Sequence, residues 1–229
     1  MVPTDLSEQT RKTLENFVNT LSFAQKQTVY KALQDVLMST AVNNAIDTGD
    51  RVPEFSLPNV YGKKLQLASV LRRGPVVLSF YRGSWCPFCN WELDSLQKHL
   101  PEIRKAGANL IAVSPERTES SLRHVLELGL EFDVLTDRAN VIAEKFGLLM
   151  TVPEILRPLF LEWGCTLPAL SNEHRFRLPL PATYVIDTSG IVRTAYVEND
   201  YTRRMQPDDI IQALHALHPT GDPGISYLQ

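Results

Sequence analysis

Residues 80–93 read Phe80-Tyr81-Arg82-Gly83-Ser84-Trp85-Cys86-Pro87-Phe88-Cys89-Asn90-Trp91-Glu92-Leu93. They follow the almost wholly apolar run 76–81, which is typical of a strand buried on both faces of a sheet. The loop after this strand leads to Cys86 and Cys89, where a helix is predicted to begin. Pro87 favours a helix start because its fixed φ suits the first turn and its missing N–H would have no partner there. The stretch therefore predicts a strand, a short loop and a helix with two cysteines in its first turn.

Short β-rich runs alternate with helical stretches from about residue 50 onward. Strands are predicted at residues 76–81, 109–114, 133–136, 183–187 and 191–197. Helices are predicted at residues 87–105, 118–128, 138–146 and 207–218. Pro101 is expected to kink or restart the first of these helices, and Asp187-Thr188-Ser189-Gly190 is a hairpin-turn signal. The order predicts an α/β fold whose mixed sheet is flanked by helices, parallel in one part and antiparallel at one edge.

The chain divides into a predicted N-terminal helical extension, residues 1–47, and a main domain, residues 48–229. Apolar residues recur at helical spacing in two runs of the extension, and Ser22 and Gln25 between these runs fit a capping box. The extension is expected to pack on the main domain or on a second subunit. Residues 148–181 interrupt the main domain with five prolines and Cys165, and this insertion is expected to be either a functional lid or a packed segment.

The composition argues against several classes of protein. The 229 residues carry 23 basic and 26 acidic side chains, so the net charge of −3 lacks the basic excess of an electrostatic nucleic-acid binder. No apolar run approaches the roughly 18–20 residues that cross a bilayer, and the first residues do not resemble a secretory signal. Three cysteines are too few for a disulfide scaffold in a chain of this length. We expect a cytoplasmic globular protein that binds neither nucleic acid nor membrane.

Cys86 and Cys89 are the strongest candidates for chemistry. The positive end of a helix favours the thiolate of Cys86 and lowers its pKa. Three-residue spacing on a helical turn brings the two Cα atoms to roughly 5–6 Å, a separation that a disulfide spans. A reversible dithiol/disulfide switch is the preferred interpretation. Two alternatives stay open, namely a zinc site completed by His215 and His218, and two thiols that are merely buried.

Three further features carry weaker signals. Glu92, one turn beyond Cys89, is interpreted either as a proton relay or arginine partner, or as solvated helix surface. Cys165 is expected to be packed and inert, with a resolving role left open if the insertion folds over the helix. Three basic doublets are interpreted as turn or rim charges: Lys63-Lys64, Arg72-Arg73 and Arg203-Arg204.

From about Gly49 to Leu217 the sequence resembles the peroxiredoxins, the alkyl hydroperoxide reductase/thiol-specific antioxidant family of the thioredoxin-like superfamily. Residues 49–58 look like the family's opening G-x-x-x-P-x-F-x-L-P, and the strand into the cysteines and the late strand 181–187 also match. The branch that keeps a thioredoxin-style C-x-x-C is the one it looks most like. The resemblance implies a thioredoxin-like fold and a thiol-dependent oxidoreductase that uses no metal and no other cofactor.

The family motif Pro-x-x-x-Thr/Ser-x-x-Cys, followed by x-x-Glu, implies roles for individual residues. Laid on this chain, it makes Cys89 the peroxidatic cysteine and Glu92 the motif glutamate. Cys86 then takes the threonine position, and Arg82 takes the proline position. The residues expected to support the two cysteines are Arg82, Trp85, Pro87, Glu92 and Pro181.

Pro181 stands where the family has an arginine that supports the peroxide. By similarity to thioredoxins, a cis peptide bond is expected between Leu180 and Pro181, facing the cysteines. The missing guanidinium would have to come from Arg82, Arg175 or Arg177, because a cation stabilises the charge that develops on the departing oxygen.

Peroxide reduction is the leading predicted mechanism. The Cys89 thiolate attacks the O–O bond and becomes a sulfenic acid, Cys86 condenses with it, and an external dithiol reduces the disulfide. The runner-up is thiol–disulfide exchange, in which Cys86 attacks a substrate disulfide and Cys89 resolves it. A thioredoxin-like binding module is the non-enzymatic alternative. The expected partners are a hydroperoxide or disulfide substrate and thioredoxin, glutaredoxin or glutathione as reductant, with a homodimer as an open option.

Overall fold

The computed structural model describes residues 5–165 and 176–217 of the chain. The helices there are α1 (Leu6–Thr20), α2 (Phe23–Leu37), α3 (Leu67–Leu71), α4 (Pro87–Lys105), α5 (Thr118–Leu128), α6 (Val141–Lys145), α7 (Arg157–Glu162) and α8 (Pro207–Ala216). The strands are β1 (Ser56–Pro58), β2 (Lys64–Gln66), β3 (Val76–Phe80), β4 (Asn109–Ser114), β5 (Asp133–Thr136), β6 (Leu149–Thr151), β7 (Arg177–Pro179), β8 (Ala182–Ile186) and β9 (Val192–Val197). Two short 3-10 helices lie at Ala41–Asn44 and Glu154–Leu156.

The main sheet has the strand order β5-β4-β3-β8-β9. Strands β3, β4 and β5 are parallel, whereas β8 runs antiparallel to β3 and β9 runs antiparallel to β8. The predicted mixed sheet with a parallel part and an antiparallel edge is therefore confirmed. All five predicted strands form; four of them are buried on the two faces of this sheet, whereas the edge strand β9 is mostly half-buried.

Alternate residues of β3 divide between two hydrophobic cores. Val76, Leu78 and Phe80 pack into the core that contains α3 and α6. Val77 faces the opposite core, which is built from α4 and α8. Strand β3 is central and covered on both faces, and the loop that follows it lies at the carboxyl end of this strand.

Helix α4 has the predicted bounds, with Pro87 as its first residue. It continues through Pro101, so the restart expected as one alternative is wrong, and the kink stays a prediction. Leu96 and Ile103, on either side of Pro101, are both buried in the same core. This burial holds the helix in one piece although proline removes one backbone hydrogen bond.

Helix α6 is shorter than predicted and begins at Val141 instead of residue 138. Asn140 adopts a left-handed conformation with φ 55°, which is incompatible with a helix interior. The Asp137 carboxylate accepts hydrogen bonds from the backbone N–H groups of Ile142 and Ala143, both at 2.9 Å. The turn at residues 137–140 therefore places the start of the helix at Val141.

The two N-terminal helices form as predicted, and the capping box of Ser22 and Gln25 is present. Helix α1 lies against α4, where the Trp91 indole N–H donates to the Thr13 hydroxyl at 2.8 Å. The described part of the insertion forms β6, β7 and α7, and Phe160 of α7 is buried with Val29 and Ala32 of α2. In the described ranges the insertion is therefore a packed segment. None of the helices described is long and apolar enough to span a bilayer.

Candidate active site

Cys86 is the N-cap residue of α4, and Cys89 lies in the first turn of the helix. Both are free thiols, and only 1% of Cys86 and 0% of Cys89 is exposed. The backbone N–H of Cys89 donates to the Cys86 carbonyl oxygen at 3.0 Å, which closes the first turn. The predicted strand, loop and helix thus bring the two sulfurs together inside the protein.

The guanidinium of Arg82 lies beside Cys86. It donates a hydrogen bond to the Cys86 sulfur at 3.3 Å. The Arg82 side chain is buried between two aromatic rings, with its central carbon 4.2 Å from the Tyr201 ring centre and 5.5 Å from that of Trp85. The faces of aromatic rings attract cations, so these two contacts stabilise the charged guanidinium of Arg82 in its buried position. The arginine expected to support the site therefore contacts one of the two thiols.

A second buried guanidinium, that of Arg204, lies beside Cys89. One terminal nitrogen donates to the Cys89 sulfur at 3.5 Å, and Nε donates to Glu92 Oε2 at 2.6 Å. The other terminal nitrogen donates to the backbone carbonyls of Tyr201 and Arg203. The interpretation of the Arg203-Arg204 doublet as rim charges is wrong for Arg204, whose fold-specific partners bury it, although Arg203 is exposed. Sequence patterns missed this residue, and its only signal was the doublet itself.

Glu92 is buried, with 2% of the residue exposed. Besides Arg204, the hydroxyls of Thr183 and Ser79 donate to its other oxygen at 3.1 and 3.4 Å. Burial raises the pKa of Glu92, while Arg204 and the two hydroxyls oppose that rise. Of the two interpretations made from the sequence, pairing with an arginine is confirmed and solvated helix surface is wrong, because α4 turns this face towards β3 and β8.

The two thiols do not share the proton equally. Burial alone would raise the pKa of Cys86, but the Cys89 thiol donates to it and Arg82 and Arg204 add positive charge, so the pKa of Cys86 lies well below its ordinary value. Burial and the negative charge at Cys86 raise the pKa of Cys89 well above its ordinary value. The two thiols titrate as a coupled pair, in which the neighbouring guanidinium groups favour negative charge on Cys86. The lowered pKa predicted for the helix-start cysteine agrees with this arrangement.

A family model described as the AhpC/TSA family matches residues 48–195, which is more than half of the chain. The chain belongs to the AhpC/TSA family. Among its relatives, "Peroxiredoxin Q, chloroplastic" of Sedum lineare is 25% identical over 188 residues, which cover 82% of this chain and 88% of that protein. "Peroxiredoxin Bcp" of Escherichia coli strain K12 is 29% identical over 104 residues, which cover 45% of this chain and 66% of that protein.

A solved structure, "Peroxidoxin BcpB from Mycobacterium tuberculosis", matches the fold with a TM-score of 0.59 at 23% identity. The match covers 75% of this chain and 98% of that chain. The expectations of a thioredoxin-like α/β fold and of a peroxiredoxin-type thiol enzyme are thereby confirmed.

The position where the family arginine was expected holds Pro181, and the predicted cis bond before it is wrong. No peptide bond of the residues in ranges 5–165 and 176–217 is cis. The chain runs extended from β7 into β8, with the Leu180 N–H donating to the Leu148 carbonyl at 2.7 Å, so a trans bond suits this path. The supporting role of the buried Pro181 stays a prediction, as do those of Trp85 and Pro87.

Of the two other arginines considered from the sequence, only one lies within the described residues. Arg177 forms a surface ion pair with Glu144 at 3.0 Å, and Arg175 lies outside the described residues.

Cys165 is half-buried after α7, and burial raises its pKa to about 11. This environment agrees with the expectation that Cys165 is packed and unreactive.

The residues in the described ranges do not assemble a metal site. No group of three or more His, Cys, Asp or Glu side chains there is arranged to hold an ion. His215 lies in α8, and His218, the other residue of the zinc alternative, lies outside the described ranges. The environment of Cys86 and Cys89 instead consists of two guanidinium groups and one carboxylate.

Proposed function

We propose that this protein is a thiol peroxidase that reduces hydroperoxides with Cys89 as the attacking thiol and Cys86 as the resolving thiol. The observation that carries the proposal is the contact between the Arg204 guanidinium and the Cys89 sulfur, with Arg204 anchored by Glu92. A guanidinium at this place stabilises negative charge on the sulfur and on the oxygen that leaves it. Membership of the AhpC/TSA family supports the same reaction.

The proposed reaction starts from a pair that carries one negative charge. The proton of the Cys89 thiol moves along the hydrogen bond to the Cys86 sulfur, which leaves the thiolate on Cys89 beside Arg204. That thiolate attacks one oxygen of the hydroperoxide; an S–O bond forms, the O–O bond breaks, and the departing alkoxide takes the proton from the Cys86 thiol to become an alcohol.

Resolution then uses the second sulfur. Cys86, again a thiolate beside Arg82, attacks the sulfenic acid sulfur of Cys89; an S–S bond forms, the S–O bond breaks, and the departing hydroxide takes a proton from solvent to become water. An external dithiol, or two molecules of a monothiol, reduces the disulfide to two thiols and is itself oxidised to a disulfide. We infer that thioredoxin, glutaredoxin or glutathione is this reductant and that the protein works in a reducing compartment such as the cytoplasm, because turnover requires the dithiol form.

One observation favours a second function. Cys86 has the lowered pKa and contacts Arg82 directly, which is the pattern of an attacking thiol in thiol–disulfide exchange. In that reaction Cys86 would attack a substrate disulfide, and Cys89 would displace the substrate from the mixed disulfide.

Two single substitutions separate these functions. In a peroxidase, Cys89→Ser abolishes peroxide consumption, whereas Cys86→Ser reacts once and accumulates a sulfenic acid at Cys89. In an exchange enzyme, Cys86→Ser is inactive and Cys89→Ser traps mixed disulfides. A sulfenic-acid trapping reagent with mass spectrometry decides between them. An adduct at Cys86 in Cys89→Ser, with none at Cys89 in Cys86→Ser, would overturn the assignment.

The matched control for both substitutions is Cys165→Ser. Because Cys165 is packed and its pKa is raised to about 11, this variant is expected to consume peroxide at the rate of the unmodified chain.

The division of the chain into residues 1–47 and 48–229 stays a proposal. A homodimeric assembly also stays a proposal, and the molecular mass in solution tests it.

A further inference from the structure

Ser84, in the loop between β3 and α4, is held at every polar atom of its backbone and side chain. The Glu116 carboxylate accepts a hydrogen bond from the Ser84 backbone N–H at 2.9 Å and another from its hydroxyl at 2.6 Å. On the other side, the Asn90 side-chain amide of α4 donates to the Ser84 carbonyl at 2.9 Å. Two different elements therefore hold one residue of the loop in place.

The carboxylate of Glu116 is hydrogen-bonded to this loop. Glu116 follows β4, is only 3% exposed, and donates its own N–H to the Ser114 hydroxyl at 3.1 Å. Within the described part of the chain, no Lys, Arg or His nitrogen lies within ion-pair distance of its carboxylate. Hydrogen bonds from Ser84 to a charged acceptor are stronger than neutral ones, and they compensate part of the cost of burying the carboxylate.

The held residue lies midway between two groups of the active site. Arg82 precedes Ser84 by two residues and Cys86 follows it by two. Between them, Gly83 has a φ of +145°, and a Cβ atom there would stand 2.6 Å from the Trp85 indole nitrogen, so this position requires glycine. A shift of Ser84 would therefore move the Arg82 guanidinium relative to the Cys86 sulfur.

We propose that Glu116 is a positioning residue of the thiol pair, which fixes Ser84 and thereby holds the Arg82 guanidinium against Cys86. It does not touch the sulfurs and acts through the loop. The inference rests on the proposed function, since it assigns Glu116 a part in preparing the same two thiols for reaction. The charged and titratable groups that face Cys86 are Arg82 from the loop, Cys89 from α4, Tyr201 and Arg204 from the segment after β9, and Cys165 after α7. Two of these groups are cations, so a displaced Arg82 removes one of the two.

The direction in which the apparent pKa of the thiol pair changes when Glu116 is removed distinguishes a positioning role from a direct charge effect. If Glu116 acted only through space, its removal would take away negative charge and lower the apparent pKa of the thiol pair. If Glu116 instead holds Ser84 and the loop in place, its removal lets Arg82 move away from Cys86 and raises that apparent pKa. The titration needs no peroxide turnover, so it gives a result even where the proposed peroxidase function fails.

The experiment titrates the ultraviolet thiolate absorbance of the reduced full-length chain. In Glu116→Gln we expect the apparent pKa of the first thiol to rise by about one unit. Ser84→Ala removes only the hydroxyl contact and leaves all charges in place, so it is expected to raise that pKa by a smaller amount. The matched control is Glu119→Gln, a substitution at an exposed glutamate in the first turn of α5, which should leave it unchanged.

An unchanged or lowered pKa in Glu116→Gln would overturn the proposal. Where that variant fails to fold, as judged by circular dichroism, Ser84→Ala decides, and an unchanged pKa there also overturns it. Peroxide consumption is measured in parallel. If the apparent pKa rises in the two variants as expected but the unmodified chain consumes no peroxide, the peroxidase function is rejected and the positioning role of Glu116 is kept.

Discussion

Arg204 donates a hydrogen bond to the sulfur of Cys89 at 3.5 Å, although 115 residues separate the two in the chain. The same guanidinium is fixed by Glu92, which lies one turn beyond Cys89 on α4. A carboxylate on the helix of the thiol thus orients the cation that faces the thiol. This arrangement supplies a buried positive charge beside Cys89. Pro181 stands at the position where the resemblance led us to expect an arginine.

Substitution of Arg204 is expected to reduce peroxide consumption strongly. Arg204→Ala should lower the rate constant for the reduced protein with hydrogen peroxide by roughly 100-fold, because it removes a buried donor that stabilises developing charge. Arg204→Lys should lose about 10-fold, since one ammonium group does not reproduce the fork that reaches Glu92 and Cys89 together. The control is Arg203→Ala, at the exposed neighbour, with an unchanged rate. Equal losses in Arg203→Ala and Arg204→Ala would contradict the role of Arg204.

The buried pair of Glu92 and Arg204 is expected to couple in stability. Arg204→Met leaves the Glu92 carboxylate buried without its cation and should lower the free energy of unfolding by about 3 kcal/mol. The double variant Glu92→Gln/Arg204→Met removes both charges and keeps an acceptor for the Thr183 hydroxyl. It should therefore be more stable than Arg204→Met alone. Denaturant unfolding of the single and double variants tests this, and simple additivity of the two effects would argue against direct coupling.

Mild oxidation is expected to join Cys86 to Cys89 and to leave Cys165 free. The first two thiols lie at the start of one helix and are hydrogen-bonded to each other, whereas the pKa of Cys165 is raised to about 11 by burial. Peptide mapping of the oxidised protein without reductant identifies the linkage. A disulfide between Cys165 and Cys89 would instead make the insertion a resolving segment.

Asp187 is expected to contribute stability that acid removes. Burial alone would raise its pKa, but hydrogen bonds from Ser189, Ile191 and Arg193 outweigh burial and lower the pKa from its ordinary 3.8 to about 2. Because the folded value is the lower one, the contribution is fully present above the unfolded pKa and is lost as the pH falls through about 2.

The comparison for this prediction is Asp187→Asn against the unmodified chain. Its deficit in the free energy of unfolding should be largest at neutral pH and should shrink as the pH falls through the window between about 3.8 and about 2. Denaturant unfolding at several pH values measures it. A deficit that stays constant through this window would show that the Asp187 charge does not stabilise the turn.

The five strands of the main sheet, the order of helices α4, α5, α6 and α8, and the place of the two cysteines followed from the sequence alone, whereas the short elements β1, β2, β6, β7, α3 and α7 did not. Residues 76–80 are apolar enough to need burial on both faces, and Pro87 marks a helix start through its own fixed φ. The capping box of Ser22 and Gln25 is equally local, since its two partners are three residues apart. Such features depend on neighbours within one or two turns, so residue patterns predict them.

The environment of the thiols depends on the tertiary structure. Arg204 and Glu116 reach the site from segments distant in the chain, and their residue type does not reveal whether they end in solvent or against a buried partner. The expected cis bond at Pro181 failed for a related reason, because the extended path from β7 into β8 decides that geometry. Hydrogen bonds form only over a few ångströms, so the packing of the sheet and helices decides which charged groups reach Cys86 and Cys89.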